Sequence, residues 1–101
     1  MPWVITPRKK LQRLEHNIVM ELGSRYEERC RWNKAIKVYR QGMRSDELDE
    51  QVCRHLMQCY QQTGRESDAL AAYEIYRAQL EQAVARRPSA RTRMLAETLL
   101  S

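Results

Sequence analysis

Hydrophobic positions recur with helical spacing along nearly the whole chain. Leu11, Leu14, Ile18, Leu22 and Tyr26 make one run, and Ala69, Leu70, Tyr73, Tyr76, Leu80 and Val84 make another. Steps of three and four residues put such side chains on one stripe of a 3.6-residue helix. The first run predicts a long helix over about residues 8–30, with Thr6 as N-cap and Pro7 at the first helical position. Ser45-Asp46 interrupts the pattern, and Asp46, Glu47, Asp49 and Glu50 supply the acids that favour a new helix N-terminus. Pro88 disfavours helix at the residue before it, so Arg86-Arg87-Pro88-Ser89 ends the fourth helix. Ser89 can then cap a last helix bearing Met94, Leu95 and Leu99. The pattern predicts an all-α chain of about five helices.

The chain also repeats itself. A shift of 34 residues aligns Leu14 with Leu48, Leu22 with Leu56, Tyr26 with Tyr60, Arg31 with Arg65, Ala35 with Ala69 and Tyr39 with Tyr73. Ile18 then meets Val52, Val19 meets Cys53, and Ile36 meets Leu70. These are the positions a pair of antiparallel helices must bury. In each copy the first helix presents Val19, Leu22 and Tyr26, or Cys53, Leu56 and Tyr60. A short turn follows, where Gly64 can take the left-handed conformation that closes a helix. The second helix offers a small Ala and, one turn on, a Tyr to fill the gap, so these tyrosines are read as core. The arrangement resembles the tetratricopeptide repeat, a 34-residue helix–turn–helix with small and aromatic residues at these offsets. Repeat one falls at about residues 16–49, repeat two at about 50–83, and a capping helix at about 89–100. Two departures stand out: Gly23 in the first copy is matched by Met57 in the second, and Glu47 stands where a proline usually follows the second helix.

From Ala35 to Leu100 the resemblance becomes more specific. The order is Ala35-Ile36-Lys37-Val38-Tyr39-Arg40, Leu48-Asp49-Glu50, His55-Leu56-Met57, Tyr60, Gly64-Arg65, Ala69-Leu70-Ala71-Ala72-Tyr73-Glu74, Tyr76-Arg77, Pro88-Ser89 and Thr92-Arg93. It resembles the bacterial transcriptional activator domain (BTAD), the TPR-like module of SARP-type transcription regulators. The resemblance implies a TPR-like right-handed superhelix with a role in transcription regulation. It also implies a winged-helix DNA-binding domain upstream, which the residues before the repeats are too few to encode. The chain is therefore expected to be a fragment of a larger regulator. Ala83-Val84 and Ala90-Arg91 depart from the family's usual residues and make the final loop longer and more basic.

Composition narrows the function. The chain has 101 residues with 18 Lys+Arg against 13 Asp+Glu, a formal charge of +5. The surplus gathers at Arg86, Arg87, Arg91 and Arg93, and again at Arg8-Lys9-Lys10 with Arg13. Either patch could touch phosphate without reading sequence. No row of polar base readers follows a short turn, so direct DNA reading by this chain is not expected. Cys30, Cys53 and Cys59 are never spaced as C-x-x-C, and with His55 they do not share a helix face. Packed thiols in a reducing cytoplasm are expected, with no metal and no cofactor. Phosphate-loop, nucleophile-elbow and H-E-x-x-H motifs are absent from the sequence. No catalytic role is therefore expected, and no apolar run is long enough to span a bilayer.

What remains is a helical interaction module. In a stack of helix pairs the first helix of each pair lines the concave side. With Val19, Leu22 and Tyr26 turned inward, Met20, Ser24 and Glu27 face the neighbouring groove, joined from the second copy by Arg54, Gln58 and Gln61. Such a groove would take a peptide or helix. The expected partners are protein: a linked DNA-binding domain, a second copy, or the transcription machinery. A general TPR adaptor or chaperone-type scaffold with no link to transcription is the alternative.

Overall fold

The computed structural model describes residues 7–100. Thr6, expected to cap the first helix, lies outside them, as does the side chain of Arg8. Five helices follow one another: α1 (Pro7–Glu28), α2 (Trp32–Ser45), α3 (Glu50–Gln62), α4 (Glu66–Val84) and α5 (Ala90–Leu100). Each packs on the next in an all-α, TPR-like stack, and α3 lies at the centre, touching α1, α2, α4 and α5. The result is an elongated slab of 47 × 31 × 18 Å.

The two hairpin turns are built alike. Arg31 N–H bonds to Tyr26 C=O at 2.9 Å and Arg65 N–H to Tyr60 C=O at 2.8 Å. Cys30 N–H reaches Glu27 C=O, and Gly64 N–H reaches Gln61 C=O. This is the same six-residue helix closure made twice, 34 positions apart, and it needs a left-handed residue at its apex. Gly64 supplies it in the second copy at φ 72°, whereas Cys30 is forced to φ 55° in the first. A side chain in that region costs roughly 1–2 kcal/mol. Cys30→Gly should therefore stabilise the chain by about 1 kcal/mol, read as a rise of roughly 4–8 °C in thermal midpoint. An unchanged or lower midpoint would contradict this reading of the turn.

The core joins Ala35, Ile36 and Tyr39 of α2, six residues of α3 from Val52 to Tyr60, Ala69, Tyr76 and Leu80 of α4, and Ala96 and Leu99 of α5. Tyr39 and Tyr60 are buried, while Tyr26 and Tyr73 pack against the core from its edge. Ala69 has no exposed surface where α3 and α4 approach. Ala69→Leu should overfill that contact and cost about 1–3 kcal/mol, measured by chemical denaturation. An unchanged unfolding free energy would mean that the hairpin is wrongly placed. Asp49 caps α3, accepting from Val52 N–H at 3.2 Å.

The Gly23 and Met57 departure has a packing reason. A Cβ at Gly23 would stand 2.6 Å from Tyr39 Oη and nearer still to the ring. The Tyr39 ring thus lies directly on the α1 backbone, and its hydroxyl donates to the Glu27 carboxylate. In the second copy Met57 is fully buried in the matching place, and Tyr73 is left half-exposed.

The expected stripes need three corrections. Leu11, Leu14, Ile18 and Leu22 are not core: they are 56%, 51%, 63% and 42% exposed. The face of α1 that meets α2 carries Val19, Gly23 and Tyr26, about a third of a turn away. Val84, at the end of α4, and Met94, on α5, are exposed too, and α5 docks through Thr92, Ala96 and Leu99 instead.

Candidate interaction surface

The six residues expected to line a partner groove have different fates. Met20 packs partly against the core. Ser24 turns its hydroxyl back to Met20 C=O at 2.7 Å, the usual helical satisfaction of a mid-helix serine. Glu27 accepts from Tyr39 and lies 2.8 Å from His55 Nδ1, so its carboxylate joins α1, α2 and α3. Burial first, and then this carboxylate, hold the Tyr39 hydroxyl well above its ordinary pKa. Arg54 is paired with Glu50 at 3.4 Å along α3. Gln58 is exposed and Gln61 half-exposed. The polar part open to solvent is thus mainly Gln58 and Gln61, with Glu27 and Arg54 engaged inside the fold.

His16 and His55, which have no partner close in sequence, each find one far along the chain. His16 Nδ1 meets Asp49, the cap of α3, while His55 of α3 meets Glu27 of α1. Both pairs join α1 to α3. Cys53 and Cys59 lie buried on α3, where burial pushes both thiols up to about 12. Cys30 is exposed.

Glu50 is the residue that sequence reasoning undervalued. Its carboxylate accepts from Tyr76 Oη at 2.9 Å, Thr92 Oγ1 at 2.9 Å, Ser89 N–H at 3.2 Å and the Ser89 hydroxyl. One side chain in the first turn of α3 therefore holds α4 and the start of α5. Burial alone would raise its pKa, but the donors from Ser89, Thr92 and Tyr76 outweigh burial and bring it below the ordinary 4.5. Only the order Leu48-Asp49-Glu50, Pro88-Ser89 and Thr92 hinted at this in sequence.

Two further surfaces stand open. Arg86, Arg87 and Arg93 line a cleft of about 470 Å³ with Tyr73 and Arg77, whereas Arg91 lies outside it. Four expected basic residues thus divide into three that converge and one that does not. The second surface is apolar: Ile18, Val19 and Leu22 of α1 meet Val38 of α2 in a shallow groove of about 430 Å³ edged by Lys37 and Arg44. It continues the exposed Leu11–Leu14 ridge.

Residues 1–100 match the family model described as the bacterial transcriptional activator domain. The chain belongs to that family. No curated protein and no solved structure matches it. BTAD membership makes this a transcription-regulator domain, in line with the resemblance read from Ala35 to Leu100. Among the described residues no helix is long and apolar enough to cross a membrane. The hallmark residues of the BTAD resemblance also acquire structural jobs here: Ala35 and Ala69 let helices close up, Gly64 turns the second hairpin, and Glu50, Ser89 and Thr92 fasten the last helix.

Proposed function

We propose that this BTAD is the interaction and signal-transmitting module of a bacterial transcriptional regulator, acting in the cytoplasm with a separate DNA-binding domain. It has no catalytic role in this reading, and its partners are proteins: that DNA-binding domain, a second copy, or the transcription machinery. The observation that carries the reading is the exposed ridge Leu11, Leu14, Ile18 and Leu22. Water-facing aliphatic side chains in a row mark a contact surface rather than a finished exterior. Gln58 and Gln61 offer polar groups to solvent elsewhere on the stack, while Glu27 and Arg54 hold the helices in register. Family membership favours this over the general scaffold alternative. Sequence reading of DNA belongs to the other domain, and Arg86, Arg87, Arg91 and Arg93 add only a salt-sensitive attraction to phosphate.

The test is a double substitution, Leu14→Glu with Ile18→Glu, assayed for promoter activation beside the DNA-binding domain. Exposed positions away from packing contacts shift stability by only about 0.5 kcal/mol each, so the isolated module should keep its fold and thermal midpoint. Activation should fall at least about tenfold, the loss of roughly 1.4 kcal/mol of contact free energy. Full activation by a folded double variant would defeat the proposal.

A further inference from the structure

The repeat itself indicates what covers the α1 ridge. Ile18 and Leu22 are the 34-residue equivalents of Val52 and Leu56 on α3. Val52 has no exposed surface and Leu56 very little, because α2 lies alongside them. Gly42 of α2 sits against Val52, where an added Cβ would come within 3.2 Å of Val52 Cγ1. The first helix of repeat two is therefore covered by the second helix of the hairpin before it. No described helix precedes α1, and the same positions face water.

The groove is repeated along with the helices. Val19, Leu22, Lys37, Val38 and Gln41 line the groove on repeat one. Their counterparts Cys53, Leu56, Ala71, Ala72 and Ile75 line a groove of about 370 Å³ on repeat two. In repeat two the far wall is present, built by Arg40, Met43 and Arg44 of α2 with Glu47 just beyond. In repeat one no described element forms that wall. A helix of such a stack with no neighbour on one side exposes the surface on which an adjoining helix would pack.

We propose that the α1 ridge is a docking site for one amphipathic α-helix of a partner protein, seated on α1 as α2 is seated on α3. The occupant must bring an apolar face, with a Gly or Ala opposite Ile18 to play the part of Gly42. Its flanks must be acidic. Lys37 and Arg44 edge the groove, and Lys10 is exposed one turn before Leu14 on α1. Of the nearby acids on α1, Glu21 is already paired with Arg25 at 2.9 Å and Glu15 is half-buried beside Val19. Helix-in-groove recognition of this kind reads anchors at i, i+3, i+4 and i+7. The inference rests on the ridge being a contact surface, as proposed above, and adds what the contact is.

The probe is a designed 18-residue helical peptide with leucines at those anchor spacings, one central glycine and glutamates on both flanks. It is titrated into the isotope-labelled domain and followed by methyl resonances. The methyl signals of Leu11, Leu14, Ile18, Leu22 and Val38 should move together, while those of Ile36, Leu56 and Leu80 stay. Lys37→Glu with Arg44→Glu should weaken binding at least about tenfold and let a lysine-flanked version of the peptide bind instead. Three outcomes would overturn the inference: no binding by the acidic helix, binding only over Ala71, Ala72 and Ile75, or equal binding of both peptides to the wild type. A concentration-dependent dimer broken by Ile18→Glu would also overturn it, by naming a second copy as the occupant. If the Leu14/Ile18 double variant loses activation yet the acidic helix does not bind, the contact surface stands and only its helical occupant is wrong.

Discussion

Replacing Glu50 with alanine is expected to free α5 from the stack. The carboxylate is the common acceptor for Tyr76, Ser89 and Thr92, and no other described acid takes its place beside them. Hydrogen bonds to a charged group contribute roughly 1.5–3 kcal/mol each, and the hydroxyl of buried Thr92 would keep only its longer contacts to Arg54 and Ser89, both at 3.4 Å. Because these bonds share one acceptor they do not add fully, and a total loss of about 2–4 kcal/mol is expected. Amide exchange should show residues 90–100 losing protection before α2 and α3 do. The acid branch follows from the sign of the shift. Glu50 has a folded-state pKa below 4.5, so the folded protein holds the ionised form more strongly than the unfolded chain does. Its stabilisation is fully present above about pH 5 and is lost as pH falls below the ordinary value and through the folded one. The gap in stability between wild type and Glu50→Gln should therefore be widest near neutrality and narrow as the pH falls below 4.5. A gap that stays constant across this range would mean that the carboxylate charge is not what fastens α5.

Gly23→Ala is the second large effect, and it runs against helix propensity. In an open helix the change would gain about 1 kcal/mol. Here the new methyl would overlap the Tyr39 ring, which is fully buried and donates to Glu27. Overpacking costs typically 1–3 kcal/mol, and displacement of the Tyr39 hydroxyl from Glu27 adds about another 1–2 kcal/mol. A net loss of roughly 2 kcal/mol is expected in urea unfolding, with the His55–Glu27 contact disturbed as well. In a Tyr39→Leu background the ring is gone, and the same alanine should be neutral or stabilising. Equal losses in both backgrounds would place the cause elsewhere than in the ring on the α1 backbone.

The parts of this fold legible in the sequence are those fixed by local chemistry and by the repeat. The 34-residue shift located both hairpins, the alanines Ala35 and Ala69 at the close approaches, and the closure at Gly64. It also located the buried Tyr39. Other features depend on what lies across the fold. The spacing of Leu11, Leu14, Ile18 and Leu22 is the same whether or not a neighbour covers it. Only the absence of a described helix before α1 leaves that stripe in water, while its counterparts on α3 are buried. The Glu50 hub joins residues up to 42 positions apart, and no helical period carries that distance. Glu27 and Arg54 pointed to a partner by their place on the helix, yet Tyr39, His55 and Glu50 reach them first. The arginine segment shows the same limit, for its residues follow one another in sequence while only three share the cleft.

In the proposed function this domain works through a surface that its own described helices leave open. Methyl spectra of the domain alone, and of the domain mixed with the DNA-binding domain proposed to accompany it, are the direct test. Leu11, Leu14, Ile18 and Leu22 should change environment on going from the first sample to the second, while Ile36, Leu56 and Leu80 in the core should not. Ridge signals that coincide in both samples, with changes confined to other faces of the stack, would contradict it.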